Sequence, residues 1–304
     1  MKIGIDLGGS KIEGIVLDGA GNECGRRRVP TPAGDYDATV AAIAGLVYDL
    51  ATAHGVSDDT PVGVGIPGAV SPATGLVKNA NSTCLIGRRL DADLEQRLGR
   101  QVRLANDADC FTVSEAADGA GKGARVVFGV ILGTGVGGGL VVDGKLWVGP
   151  NAIAGEWGHN PLPWPKPADD SPDGRDERPG PECYCGKRGC IETFLSGPGL
   201  ALDFGGDTAD AAVIVDRAQS GDADAEAALA RYEDRLARAL AGVINILDPD
   251  VVVLGGGLSN IGRLYETVPV LWQNWVFSDS CVTRLVHNVH SDSSGVRGAA
   301  WLWP

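Results

Sequence analysis

Two stretches of the chain share one pattern. Ile3-Gly-Ile-Asp-Leu-Gly8 and Phe128-Gly-Val-Ile-Leu-Gly133 each run apolar residues into a glycine, 125 positions apart (128 minus 3). After each glycine turn the apolar pattern resumes, at Ile12 to Leu17 and at Leu140 to Val142. Strand, glycine turn, strand at the head of both halves predicts a duplicated α/β domain with phosphates clamped between the halves. Such a turn exposes backbone N–H groups, and the hydroxyl of Ser10 adds a further partner beside Gly8, Gly9 and Lys11. Asp6, at the end of the first strand, can hold Mg²⁺, because a hard cation takes carboxylate oxygen; a plain hairpin is the alternative. In the second turn Gly133, Gly135 and Gly138 match G-x-G-x-x-G, the mark of a dinucleotide fold when a helix follows. Here the sequence continues as a strand pair around Asp143-Gly144, so a nicotinamide oxidoreductase is disfavoured. A third turn, Gly255-Gly-Gly257, follows the strand Val251 to Leu254 and can approach a nucleoside with bare backbone.

The densest chemistry lies in Gly155-Glu-Trp-Gly-His159 and Cys183-Tyr-Cys-Gly-Lys-Arg-Gly-Cys190-Ile-Glu192. Three of the seven cysteines fall within eight positions, and His159 can complete a four-coordinate set with Cys183, Cys185 and Cys190. Three thiolates and one imidazole leave no open position for water, which suits a structural Zn²⁺ and not a catalytic one. Reduced, buried cysteines or disulfides are the competing readings. A metal would fix Glu156 and Glu192 relative to each other, placing two carboxylates to bind hydroxyls.

At 304 residues the chain exceeds what one core usually supports, and two domains are expected. The first is 1–117, a small α/β domain; the second is 118–292, a large one with the zinc site and a proline-rich lid. A final helix over about 293–304 is expected to pack back on the first. With 26 basic against 39 acidic residues the net charge is -13, which repels phosphate backbones and argues against nucleic-acid binding. The start, Met1-Lys-Ile-Gly-Ile-Asp6, places an acid where a signal peptide needs an apolar run, and no stretch reaches membrane-spanning length. Cys24, Cys84, Cys110 and Cys281 are scattered without pairing logic, so a reducing, cytoplasmic compartment is expected.

Helical periodicity begins after Asp35 and continues through Val47 and Leu50; a long helix is predicted over Ala223 to Leu247, whose apolar face a second copy could partly cover as a homodimer. Strands at Val62 to Ile66 and Val102 to Ala105 end at Pro67-Gly68 and Asn106-Asp107, and loops beyond strand ends hold ligands in α/β sheets. Asn106 or Asp107 as a helix N-cap is the alternative. Lys78 to Thr83, including Asn81, is a polar turn, either plain or hydroxyl-binding. Seven prolines between Pro161 and Pro181 preclude a packed element there, and a mobile lid or surface loop is expected.

Taken together, Asp6-Leu-Gly-Gly-Ser-Lys11, Leu104-Ala-Asn-Asp107, Gly133 to Gly139, Gly155 to His159 and Cys183 to Glu192 resemble the ROK sugar kinases, across essentially the whole chain. Val77 to Thr83, Gly158 to Trp164 and Asp292 to Pro304 are similar to the bacterial fructokinase (mannofructokinase) branch. The resemblance implies an α/β, two-domain actin/hexokinase-like (ribonuclease H-like) fold, with ATP as donor, Mg²⁺, and phosphorylation of fructose at O6. Glucose, mannose and N-acetylhexosamines are the alternative acceptors, and a sugar-responsive repressor is the alternative from another class. It implies Asp107 as catalytic base, Gly68, Asn81, Asn106, Glu156, His159 and Glu192 as sugar readers, with one His159 nitrogen on zinc and the other donating to the sugar. It further implies Gly8 to Lys11 and Gly133, Thr134 and Gly135 as phosphate loops, and Gly255, Gly256 and Gly257 against the nucleoside. Ser10 stands where that family often has Thr, which keeps the hydroxyl.

Overall fold

The computed structural model describes residues 1–80, 82–170, 175–205 and 210–303. It divides into two compact units, Met1–Gly123 with Gly139–Ala154 and Val289–Pro304, and Ala124–Gly138 with Gly155–Asn288.

The first unit opens with β1 (Lys2–Leu7), β2 (Lys11–Leu17), β3 (Glu23–Pro30), α1 (Tyr36–His54) and β4 (Val62–Ile66). It continues through the short β5 (Ala69–Val70) and β6 (Val77–Lys78), then α2 (Leu90–Leu98), β7 (Val102–Asn106) and α3 (Asp107–Ala117). The sheet order is β3-β2-β1-β4-β7, with β1 antiparallel to β2 and parallel to β4, and β4 parallel to β7. Every residue of β4 is buried, which is why it reads as a continuous apolar run and not an alternating one. Helix α1 starts where Asp35 accepts the Ala38 N–H, ends at Gly55 in the left-handed region, and buries Ile43, Leu46, Val47 and Leu50.

The later elements are β8 (Val126–Leu132), β9 (Val136–Val142), β10 (Lys145–Leu146), α4 (Ile191–Leu195), α5 (Gly197–Phe204) and α6 (Ala211–Gln219). After them come α7 (Ala223–Leu247), β11 (Val251–Gly255), α8 (Leu264–Leu271), β12 (Arg284–His287) and α9 (Ser294–Trp301). The second sheet has the order β10-β9-β8-β11-β12, so the succession β2-β1-β4 recurs as β9-β8-β11. The repeat legible in the glycine turns is thus a repeat of strand order. Because β9 follows Gly135 directly, no helix opens on G-x-G-x-x-G, and the dinucleotide reading falls.

The units differ from the expected cut at residue 117. The first extends to Gly123 and takes in 139–154, because Gly139 lies against α3: an added methyl there would come 2.4 Å from Thr112 Oγ1 and 2.9 Å from the Ala108 carbonyl. It also begins its last segment at Val289. The fully buried Glu115 carboxylate accepts the N–H groups of Val289 and His290, at 3.0 and 3.2 Å, and the Ser294 hydroxyl at 3.0 Å. Helix α9 then lies directly on β1, β4 and α3. Methyls at Gly63 and Gly4 would fall 1.8 Å from the Ala299 carbonyl and 2.3 Å from that of Val296, and one at Gly298 would fall 1.6 Å from the Cys110 carbonyl.

The proline-rich stretch lies largely at the surface, as one of the two expectations had it, and within its described part Glu177, 8% exposed, ties it to α7. That carboxylate meets Arg235 at 2.8 Å and Arg238 at 2.9 Å and accepts the Lys166 N–H at 2.8 Å, while Arg238 donates to the carbonyls of Pro163 and Trp164. Burial would raise the Glu177 pKa, but the two guanidiniums hold it below the ordinary glutamate value. Prolines supply no N–H to a ladder, so charged anchors do the fixing that secondary structure cannot.

Gly63→Ala should lower stability by at least about 3 kcal/mol, because backbone on α9 cannot yield to the new methyl. Gly45→Ala, in α1 with nothing within 4 Å of the new methyl, should leave the melting temperature unchanged or raise it. Thermal and urea denaturation of the two variants check both.

Candidate active site

In the first unit, β7 runs out at Asn106, whose side chain accepts the Asp109 N–H at 2.6 Å and caps α3. The capping role weighed for Asn106 is therefore real, and it leaves the side-chain NH₂ as a donor. The cap fixes Asp107 as the first residue of α3, with one carboxylate oxygen accepting the Ala108 N–H at 2.9 Å. Accessible area and desolvation describe Asp107 differently: solvent reaches the side chain, yet the protein around it removes enough hydration to raise its pKa, against the pull of that N–H. Both properties suit a group that takes a proton from a substrate.

Asp6 lies within electrostatic reach of Asp107. Burial first, then the charges of Asp107 and Glu13, push its carboxyl up to about 6, with Lys11 opposing. Gly65 and Gly295 flank it, where added methyls would stand 3.5 and 3.4 Å from its oxygens. Two acidic groups beside room that a side chain would fill fit the oxygen-rich site of a hydrated Mg²⁺. The neighbouring turn is more self-contained than expected. The Gly8 N–H closes onto the Lys11 carbonyl at 3.0 Å and the Lys11 ammonium pairs with Glu13 at 3.6 Å, while Gly9 and Ser10 are exposed. Gly68 packs against the Lys78 carbonyl and Ala80, each 2.9 Å from where a methyl would sit, and Asn81 lies outside the described residues.

In the second unit a cavity of about 860 Å³ is lined by Gly133 and Thr134 on one side and by Gly257, Leu258 and Ile261 on another. Its remaining wall comes from Pro198 and Ala201 of α5, Ala211 and Val215 of α6, and Asp216. That size and mixture of backbone and apolar side chains suit a nucleotide. Of the third glycine turn, Gly257 faces this space. Gly255 is buried at the end of β11, and Gly256, at φ +80°, lies against Leu132, whose carbonyl would meet a methyl at 2.3 Å. Gly135 turns the other way, toward Glu192, whose Oε2 accepts the Val136 N–H at 2.9 Å. The Gly133 carbonyl accepts the Gly197 N–H at 2.8 Å, just after Ser196 caps α5.

The knuckle brings together what the sequence grouped. The donor atoms of His159, Cys183, Cys185 and Cys190 all lie within 4.8 Å of one another. Cys185 and Cys190 Sγ are 3.6 Å apart, as are Cys183 Sγ and His159 Nδ1, and every cysteine is free, which removes the disulfide alternative. A tetrahedral zinc with bonds of about 2.3 Å to sulfur and about 2.0 Å to nitrogen sets these spacings near ~3.8 and ~3.6 Å. Burial and then the adjoining thiols push Cys190 up to about 12, a crowding that a dication relieves. Exposed Glu156 precedes the turn that holds His159.

One neighbour had gone unread. Tyr184, between two of the cysteines, places its hydroxyl 2.9 Å from His159 Nε2, the nitrogen expected to serve a sugar. Although the ring is largely exposed, the protein around it removes some hydration, and with the charges of Glu192, Cys183 and Glu156 this keeps its phenol pKa above the ordinary value. The walls of the cavity from α5 and α6 were also missed; the Ser196-Gly-Pro cap signature was their one local signal. Gly65 and Gly295 carried none, because each matters only through its distance from Asp6.

The family model described as ROK family matches residues 2–304. The chain belongs to the ROK family. It is 40% identical over 309 residues to an N-acetyl-D-glucosamine kinase of Pectobacterium atrosepticum, covering 99% of this chain and 98% of that one. The ROK hexokinase of Thermus thermophilus is similar in structure, with a TM-score of 0.84 at 28% identity over 99% of this chain and 97% of that one. So is a ROK family glucokinase of Streptomyces griseus, solved with glucose and AMPPNP, with a TM-score of 0.72 at 27% identity over 98% and 97% of the two chains. The mixed α/β units have the actin/hexokinase-like fold of these proteins.

Asp6 has a measurable signature. In Mg²⁺-free buffer the folded state keeps its proton to about pH 6, while the unfolded chain releases it near 3.8. Stability therefore falls as pH rises through that window. Asp6→Asn should match wild type below pH ~4 and exceed it by roughly 2 to 3 kcal/mol above pH ~6.5. Urea midpoints measured across pH check the crossover.

Proposed function

We propose that this ROK-family sugar kinase transfers the terminal phosphoryl group of ATP to the 6-hydroxyl of a hexose, with Asp107 as general base. The observation that carries the reading is Asp107 itself, fixed by the Asn106 cap at a strand end, reachable by solvent and raised in pKa. Its carboxylate accepts the proton of the attacking hydroxyl, a contribution of about 10² to 10⁴ in rate. In the first unit, backbone N–H groups at Gly9 and Ser10 receive phosphate oxygens; in the second, the cavity beside Thr134 takes the nucleoside. Asp6 would hold Mg²⁺, which neutralises charge on the phosphates. Glu156 and Glu192 accept hydrogen bonds from sugar hydroxyls. His159, Cys183, Cys185 and Cys190 would hold a structural Zn²⁺ with no open position for water, which would keep these readers in place.

Among acceptors, N-acetyl-D-glucosamine comes first. Curated relatives in Pectobacterium atrosepticum and Erwinia tasmaniensis, 40% and 43% identical along nearly the whole chain, carry that kinase name, and they displace fructose from the leading place given it by sequence. Fructose is the second reading, supported by the segments 77–83, 158–164 and 292–304 that resemble the fructokinase branch.

A coupled assay over N-acetylglucosamine, N-acetylmannosamine, glucose, mannose and fructose at equal concentration ranks the acceptors, and the highest kcat/KM on N-acetylglucosamine is the expected result. Asp107→Asn keeps the acceptor for the Ala108 N–H and should lose 10² to 10⁴ in kcat with sugar binding intact. Turnover near wild type removes the base assignment. Elemental analysis should find about one zinc per chain; its removal should lower the melting temperature and abolish sugar binding together, since structural zinc contributes on the order of 10 kcal/mol of folding free energy.

A further inference from the structure

Tyr184 is 84% exposed, so little apolar burial holds it in place. It is positioned by one polar contact and one edge: the hydroxyl 2.9 Å from His159 Nε2, and the ring 5.1 Å from the imidazole at 87°. Its two sequence neighbours, Cys183 and Cys185, belong to the knuckle, which fixes its backbone.

The donor inventory around it is lopsided. Glu156 and Glu192, when ionised, only accept hydrogen bonds, so a sugar can meet them only through hydroxyl protons. A hexose also presents oxygens that need a donor. His159 Nε2 is one candidate, since Nδ1 faces Cys183 Sγ at 3.6 Å and a ligand bond there leaves the ring proton on Nε2. That proton points at Tyr184. A phenol oxygen that accepts from imidazole keeps its own proton to give onward. The exposed ring also offers an apolar edge to the C–H groups of a pyranose or furanose.

We propose that Tyr184 is a substrate-binding residue of the kinase: it takes the His159 hydrogen bond and donates its hydroxyl proton to an oxygen of the hexose, supplying the donor that the two glutamates cannot. This rests on the assignment of Glu156 and Glu192 as sugar readers, and it replaces the direct contact expected of His159 Nε2 by one made through Tyr184. The role is one of binding and orientation, not of proton transfer to the reacting atoms.

The test is Tyr184→Phe, which keeps the ring and removes only the hydroxyl. With the preferred hexose, KM and the calorimetric Kd should rise about tenfold, the effect of losing one hydrogen bond, while kcat changes less than about twofold. The KM for ATP and the zinc content should be unchanged. Tyr184→Ala should weaken the hexose further by removing the ring edge. A Phe variant whose hexose Kd stays within about twofold of wild type overturns the proposal. So does one that loses zinc and kcat while its hexose KM holds, because that is a damaged knuckle and not a lost contact. A wild-type protein that phosphorylates no hexose at all overturns the functional reading and this inference with it, an outcome visible before any variant is made.

Discussion

The convergence of three thiols and an imidazole within 4.8 Å is the constraint on which the second unit's proposed sugar readers depend. Such a cluster is unfavourable unless a cation draws the donors together, since thiolates repel and buried thiols resist ionisation, as the value of about 12 for Cys190 shows. On the proposed reading the cost is offset because the second unit's sugar readers hang from the cluster. His159 is itself a donor, Tyr184 is flanked by two more, and Glu192 follows Cys190 by two residues at the start of α4. The backbone confirms how tightly the two arms are joined: the Ile191 N–H reaches the Asn160 carbonyl at 2.9 Å and the Leu162 N–H reaches that of Gly189 at 2.9 Å.

The first unit meets a related problem with carboxylates in place of thiolates. Asp6 and Asp107 sit near each other with Glu13 behind them, and the protein supplies too little positive charge to balance them, since Lys11 is half-exposed and pairs with Glu13. Leaving carboxylates under-compensated costs stability, and a folded chain tolerates that where a ligand cation or a substrate proton is to be received. The nearby Glu13 shows the contrast: Arg26 and Arg28 surround it, and despite burial its pKa stays below the ordinary glutamate value.

What the sequence disclosed followed from how local each signal is. The knuckle, the glycine turns and the Asn106-Asp107 strand end are each compressed into a few positions whose residue types have few uses, so they could be read directly. The anchoring of the proline-rich stretch could not. Glu177 meets Arg235 and Arg238 across 58 and 61 positions, and nothing in 161–181 announces partners on a distant helix. The inclusion of 139–154 in the first compact unit was hidden for a similar reason: Gly139 looks like one more glycine of the turn, and its value lies in letting β9 approach Thr112. Tyr184 was hidden differently. A residue inside a metal-binding spacing is easily taken as a spacer, and only the 2.9 Å contact to His159 shows otherwise. The choice of hexose was the least legible, because two carboxylates and an imidazole satisfy many hydroxyl patterns.

One short segment joins the knuckle to the phosphate turn. From Cys190 to Gly197 the chain supplies a metal donor, then Glu192, whose Oε2 accepts the Val136 N–H, then the Gly197 N–H that holds the Gly133 carbonyl. The carboxylate proposed to read the sugar is therefore the same group that pins the far side of the glycine turn. Had the turn been fixed by its own side chains, it would need residues larger than glycine, and a methyl at Gly135 would already stand 2.7 Å from Glu192. Bare backbone in the turn and an external carboxylate to hold it are two halves of one solution: the Gly133 N–H closes onto the Gly135 carbonyl at 3.0 Å, the Val136 N–H is held by Glu192, and no side chain of the turn is needed to fix it.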